Sequence, residues 1–245
     1  MACGALASLV SNSLTDSMTL ADWTPPPLPP RTPIRGRYAT LEPLARAHIR
    51  GLRAAHAEDQ NDAMWTYLPV GPFDDAGYGQ WVDASRTLHD PLHYAVRMGD
   101  GRLGGTLSLM RITPASGTIE TGWLTFAPRL QRTREATEAV YLLMHWAFQA
   151  GYRRFEWKCD AANMASRRAA QRFGLSFEGI FRQAAVVKGR NRDTAWFAAI
   201  DAEWPALRDA FETWLDPANF DLDGQHVKLL SELTNPILVQ RDPAL

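Results

Sequence analysis

One amphipathic helix with strand-like runs on either side governs what this chain can become. Ala136, Ala139, Val140, Leu143, Trp146, Ala147 and Ala150 fall on one helical face, and Gly151 supplies the stop. The run "GTIETGWLTFAP" ends just before it and "YRRFEWKCD" begins just after it. A shorter helix, "NMASRRAAQRFG", comes next, with Asn163 near its cap and Gly174 at its end. The order is strand, basic turn, long helix, strand, short helix, strand, which places the chain among α/β (α+β) domains.

The basic turn poses the chemical question. In "PRLQRTREATEAV" (128–140), Arg129, Arg132 and Arg134 crowd the start of the helix. Each cation there loses roughly 0.3–1 kcal/mol against the helix dipole. Two offsets are open. Arg132 with Glu135 and Arg134 with Glu138 would each contribute about 0.2–0.5 kcal/mol as local pairs. A bound polyanion would also do it, held by the free N–H groups of the helix start. The turn lacks both G-x-x-x-x-G-K-[ST] and G-x-G-x-x-G, so it is not a nucleotide loop of either familiar kind. Net charge is −1, which argues against a chain that coats nucleic acid or an anionic membrane. The charge is uneven, however. Between Arg129 and Arg192 there are thirteen Lys and Arg against five Asp and Glu, a basic region suited to a compact anion or an RNA.

With 245 residues, 46% of them hydrophobic, the chain has ample material for a core. No apolar run reaches the roughly 18 residues of a membrane span. No basic residue precedes Arg31, so the charged start of a signal peptide is missing. Cys3 and Cys159 form no disulfide framework or metal spacing, and a cytoplasmic protein is expected. Residues 1–35, with "PPPLPP", read as a partly disordered leader in which Met18 is an alternative start and Trp23 can dock on the domain. Residues 36–236 read as a single domain with a C-terminal helical extension, and 237–245 as a tail. Within it "RYATLEPL" is a strand, and Pro43 opens a helix through "LARAHIRGLRAAHAE". "DDAGYGQWVDASRTL" is a second helix, and "LHYAVRM" and "RLGGTLSLMRI" are strands. "LSFEGIFRQAAVVKG" and "DTAWFAAID" form an antiparallel pair, and "EWPALRDAFETWL" and "GQHVKLLSEL" are helices.

Two motifs carry a resemblance. Gln131-x-x-Arg134-x-Ala136 is similar to the Q/R-x-x-G-x-G/A pyrophosphate loop of the GNAT superfamily, with Arg134 where glycine is usual. "CDAANMASRRAAQRFGLSFEG" is similar to that family's N-x-x-S...GF pattern, with Leu175 in place of the commoner Phe. Over about 37–201 the chain resembles the RimJ/RimL-like branch. The resemblance implies a mixed, mostly antiparallel twisted sheet flanked by helices, with acyl-CoA in a cleft between two splayed parallel strands. It implies transfer of an acetyl or other short acyl group to a primary amine, either a protein N-terminus or a small molecule, by direct attack in a ternary complex. Gln131, Arg132, Thr133, Arg134 and Ala136 would then hold the pyrophosphate, Leu124 and Phe126 the pantetheine arm, and Asn163 and Ser166 the thioester end. Glu120 would serve as base, Ser166 would assist the thiolate because Ala170 stands where a tyrosine is common, and Trp65 and Tyr67 would line the acceptor site. A homodimer is among the states the resemblance allows; no metal is implied.

Each role has a plainer counterpart. Glu120 can be a solvent-facing strand residue, Ser166 and Asn163 can be helix caps, and Trp65 and Tyr67 can be core anchors. Cys159 reads as a small buried hydrophobe. Pro91 breaks the helix that would align His89 and His93 as ligands. "NFDLDGQHVKLL" imitates a calcium loop from Asn219, but its twelfth position is Leu230, not glutamate. Two rivals from other classes remain: a catalytically silent acyl-CoA-binding regulatory domain, and an RNA- or ribosome-binding module.

Overall fold

The computed structural model describes residue 20 and residues 22–222 and 224–245. Met18, Cys3 and Asp223 of the calcium-like run lie outside them. In chain order the elements are β1 (Ile34–Arg35), β2 (Ala39–Pro43), α1 (Ile49–His56), α2 (Asp75–Ser85), β3 (Leu92–Met98), β4 (Leu103–Thr113) and β5 (Thr118–Phe126). They continue with α3 (Arg134–Gln149), β6 (Arg154–Asp160), α4 (Met164–Arg172), β7 (Ser176–Val187), β8 (Arg190–Ile200), α5 (Trp204–Leu215) and α6 (Leu230–Thr234).

Eight strands form one sheet in the order β1-β2-β3-β4-β5-β6-β8-β7. Every neighbouring pair is antiparallel except β5 with β6, the two strands that α3 connects. A crossover helix is what a parallel pair requires, so the mixed sheet follows from the helix that dominates the sequence. Helices cover both faces. Leu52 of α1 and Tyr78 and Val82 of α2 pack with Trp65 and Ala95 on one face, while α3 and α4 cover the other and α5 packs on α3.

α3 is buried more widely than one stripe. Ala139, Val140, Leu143 and Ala147 meet the sheet as expected, and Leu142, Met144 and Phe148 are buried as well. The second contact is α5, where Trp204 stacks on Phe148 with ring centres 4.9 Å apart. Each large side chain so buried contributes roughly 1.5–3 kcal/mol. Glu138, on the same helix, is only 4% exposed. Its carboxylate accepts the backbone N–H groups of Arg37, Tyr38 and Ala39 at 2.8, 2.6 and 2.7 Å, which fastens the start of β2 to α3.

Three segments differ from the sequence reading. The helix expected from Pro43 begins as a single 3-10 turn at Arg46–His48 and is α-helical only over α1. "GQHVKLLSEL" is helical only at α6, because Asn219 captures its first part: the Asn219 amide donates to Lys228 O, and its side-chain oxygen accepts Lys228 N–H. Residues 22–33 carry no helix or strand, yet they are fastened to the domain. Tyr152 donates to Pro27 O at 3.1 Å and Tyr94 to Pro30 O at 3.3 Å, and the Arg153 guanidinium lies 5.8 Å from the Trp23 ring. At the other end, the Arg167 guanidinium is buried against Asp242, with Nε 2.6 Å from Oδ2.

Candidate active site

β5 and β6 pair only from Thr118 with Arg154 to Thr121 with Trp157. Beyond that point β5 stays with β4 and β6 stays with β8 as far as Asp160 with Thr194. The parting has a local cause. Between Gly122 and Thr125, β5 carries one residue more than β4 carries between Ser108 and Thr106, and Trp123 takes φ 54° to accommodate it. Such a bulge bends its strand, and here it leads β5 away from β6. Gly122 begins the bend; a Cβ there would come within 2.6 Å of Met110 Sδ.

The opening holds a cavity of about 470 Å³. Glu120, Gly122 and Leu124 of β5 border it with Lys158 and Cys159 of β6, and Asn163 and Ser166 of α4 close one end. Tyr67, Arg111 and the β7–β8 residues Phe181, Arg192 and Trp196 are among its other lining residues. Glu120 is not solvent-facing: it is 3% exposed. Burial raises its pKa above the ordinary carboxylate value, against the opposing pull of Lys158 and Arg111. Lys158 Nζ lies 2.8 Å from Glu120 Oε2 and Arg111 Nε 3.2 Å from it. These contacts are closer than they are well aligned, and Oε2 makes no hydrogen bond of good geometry. Both cations also face the Trp196 ring, Lys158 Nζ at 4.6 Å and the Arg111 guanidinium at 5.4 Å from its centre.

At the α4 end, Asn163 accepts Ser166 N–H at 3.0 Å and caps the helix. Ser166 Oγ accepts Trp157 Nε1–H at 2.9 Å, and its own hydroxyl hydrogen-bonds the Cys159 thiol. Cys159 is buried and burial pushes its thiol up to about 11, which makes it a poor nucleophile.

The start of α3 is built by Thr133, whose Oγ1 accepts Ala136 N–H at 3.1 Å. The N–H groups of Arg134 and Glu135 have no acceptor within the helix by geometry, an arrangement that favours an anion. Arg132, at φ 62°, turns the chain into that helix, and its side chain is exposed. Gln131 Nε2 donates to Phe126 O at 2.7 Å, so that carbonyl is already paired. Phe126 packs against the core, and Leu124 is the one of the two that borders the cavity.

Two expectations are corrected here. Of the two offsets left open for the basic turn, the local arginine pairs do not form: Glu138 is taken by the β2 backbone, and the Arg134 guanidinium lies 4.9 Å from the Tyr38 ring centre and 4.6 Å from that of Phe220. Arg134 is the first residue of an ordinary helix and needs no positive φ, so the glycine it replaces is not demanded by the backbone. Trp65 does not line the cavity. It is 3% exposed and packs edge-on against His56 and Phe73 at 5.3 and 5.5 Å. Only Tyr67 of that pair borders the opening, where its hydroxyl donates to Ala162 O at 3.3 Å.

Arg111, Lys158, Arg192 and Trp196 were invisible as site residues in the sequence. Lys158 meets Glu120 only through the register that pairs Glu120 with Glu156 across β5 and β6, and register is not written in one strand's sequence.

Comparison with known proteins agrees with this geometry. Residues 39–176 match the Acetyltransferase (GNAT) domain family. A GCN5-related N-acetyltransferase from Brucella melitensis superposes with a TM-score of 0.86 at 47% identity, covering 88% of this chain and 100% of that one. A probable GNAT-family acetyltransferase from Chromobacterium violaceum gives 0.72 at 43%, covering 77% and 96%. The RimL ribosomal L7/L12 alpha-N-protein acetyltransferase shares the fold at 0.60 and 24% identity, over 71% and 99%. A parallel pair that parts at a bulge, a capped helix start beside it and this breadth of likeness establish that the chain belongs to the GNAT family of acyl-CoA-dependent acetyltransferases.

Proposed function

We propose that the acetyl group passes from acetyl-CoA to a primary amine that enters the cavity beside Glu120, by direct attack while both substrates are bound. The observation that carries this reading is the position of Glu120: a buried carboxylate with a raised pKa, one residue before the last paired position of β5 and β6. The residues present fit acyl-CoA. The capped start of α3 offers N–H groups to the pyrophosphate, with exposed Arg132 beside it. The backbone of β5 at Leu124 suits the pantetheine arm, and Asn163 and Ser166 lie at the thioester end. When bound, acetyl-CoA supplies the activated carbonyl.

Glu120 takes the proton that the attacking amine must lose, and burial makes its carboxylate a stronger base than usual. Ser166, its oxygen held by Trp157, turns its hydroxyl from Cys159 to hydrogen-bond the leaving sulfur. Tyr67 forms part of the acceptor's wall. The acceptor we favour is the α-amine of a polypeptide. The mouth of the cavity is bordered by β7, an edge strand on which Phe181 is 59% and Val186 78% exposed, and such an edge can hold an extended segment.

Thiol release from acetyl-CoA and succinyl-CoA, assayed against short peptides with free N-termini, polyamines and amino acids, tests the proposal. Turnover on peptides is expected. Turnover only on small amines would replace the acceptor class, and CoA binding with no turnover on any amine would make the chain a silent binding domain.

A further inference from the structure

Lysine is rare in this chain. There are three, Lys158, Lys188 and Lys228, against 23 arginines. Lys228 is exposed, and Lys188 is exposed with its ammonium tied to Trp65 O at 2.8 Å. Lys158 alone lines the cavity, its side chain 15% exposed. Among the described ion pairs every other cation is an arginine, apart from His48.

A counter-ion for buried Glu120 would not require lysine. Arg111 already stands 3.2 Å from the same oxygen, and an arginine at 158 would hold its charge more firmly. What lysine adds is a nitrogen that can lose a proton and become a nucleophile. That nitrogen sits 2.8 Å from Glu120 and over the face of Trp196, the place the acceptor amine must reach.

We infer that Lys158 is itself an acceptor: the enzyme acetylates its own Nζ from the acetyl-CoA bound in its cleft. The inference rests on the proposed role of the cavity. In the step, the lone pair of neutral Nζ forms the new C–N bond, the thioester C–S bond breaks, and CoA leaves as the thiol. Of the two protons lost from the ammonium, one is taken through Glu120 to solvent and one ends on the sulfur. No oxidant or further reactant is needed. The product is a neutral amide, so Glu120 loses one of its two neighbouring cations.

The test is peptide mapping by mass spectrometry after the purified full chain is incubated with acetyl-CoA and no added amine. A single acetyl group at Lys158 is expected, accumulating at least tenfold faster than at Lys188 or Lys228, which report uncatalysed chemistry. Glu120→Gln should slow the addition at Lys158 at least tenfold while CoA affinity stays within twofold. After CoA is removed, the acetylated protein should melt at a lower temperature than untreated protein, since the ammonium near Glu120 has become neutral. Lys158 left unmodified, or modified no faster than the two surface lysines, would overturn the inference. If the same preparation still acetylates added amines, only the inference fails. If it neither binds CoA nor releases thiol with any amine, the functional proposal fails with it.

Discussion

Removing the Glu138 carboxylate should destabilise the protein strongly without touching the chemistry. In Glu138→Ala the backbone N–H groups of Arg37, Tyr38 and Ala39 lose their common acceptor. Arg37 is exposed and can be rehydrated; Ala39 is 4% exposed and Tyr38 half-buried. Two donors without ready access to water, each previously bonded to a charged group, give a loss of about 3–6 kcal/mol at roughly 1.5–3 kcal/mol apiece. For a domain of this size each kcal/mol lowers Tm by about 2–4 °C, so a fall of at least about 6 °C is expected. Glu138→Gln keeps one acceptor oxygen and should fall between the two. Urea and thermal unfolding followed by circular dichroism measure both variants, and CoA titration on the folded variants should be close to wild type. A loss below about 1 kcal/mol for Glu138→Ala would refute the claim that this carboxylate anchors β2 to α3.

Other outcomes follow from the same structure. Arg132→Glu should weaken CoA binding by calorimetry more than Arg134→Glu, because Arg134 is engaged with Tyr38 and Phe220; the reverse order would return Arg134 to the phosphate site. Trp65→Ala should lower stability by about 3–5 kcal/mol, whereas Tyr67→Phe should leave Tm nearly unchanged and raise the acceptor KM. Burial depresses His56 and His93 to about 4, so both stay neutral when folded and take up protons on unfolding below their ordinary value of 6.5. Their contribution is complete above that value and is lost as pH falls toward 4. Stability should therefore drop by up to about 2.7 kcal/mol per pH unit in that window, and His93→Asn should lessen the slope by about one proton.

What was legible in the sequence was local. Asn163 caps its helix where the sequence places it, and Gly151 and Gly174 end theirs with φ of 94° and 80°. The order of elements around α3 pointed to an α/β domain, and the mixed sheet was implied by the family resemblance. What could not be read depends on residues far apart in the chain. Arg134 finds Tyr38 and Phe220, Glu138 finds the entry to β2, and Arg167 finds Asp242, each across a fold that must exist first. Trp65 and Tyr67 stand two positions apart in one irregular loop, and no periodic pattern could say which turns inward. The sequence left Glu120 open between a base and a solvent-facing strand residue for the same reason: a strand residue's exposure depends on what the other strands and loops place over it.

The pH dependence of kcat/KM for the acceptor, at saturating acetyl-CoA, in wild type and in Glu120→Gln tests the role of this carboxylate most directly. Wild type should show an ascending limb set above the ordinary carboxylate range, since burial raises the Glu120 pKa and only the ionised form can take the amine's proton. In the variant that limb should vanish and the plateau fall by about 100-fold or more, with CoA affinity unchanged. Superimposable profiles for the two proteins would contradict the account and remove Glu120 from the reaction.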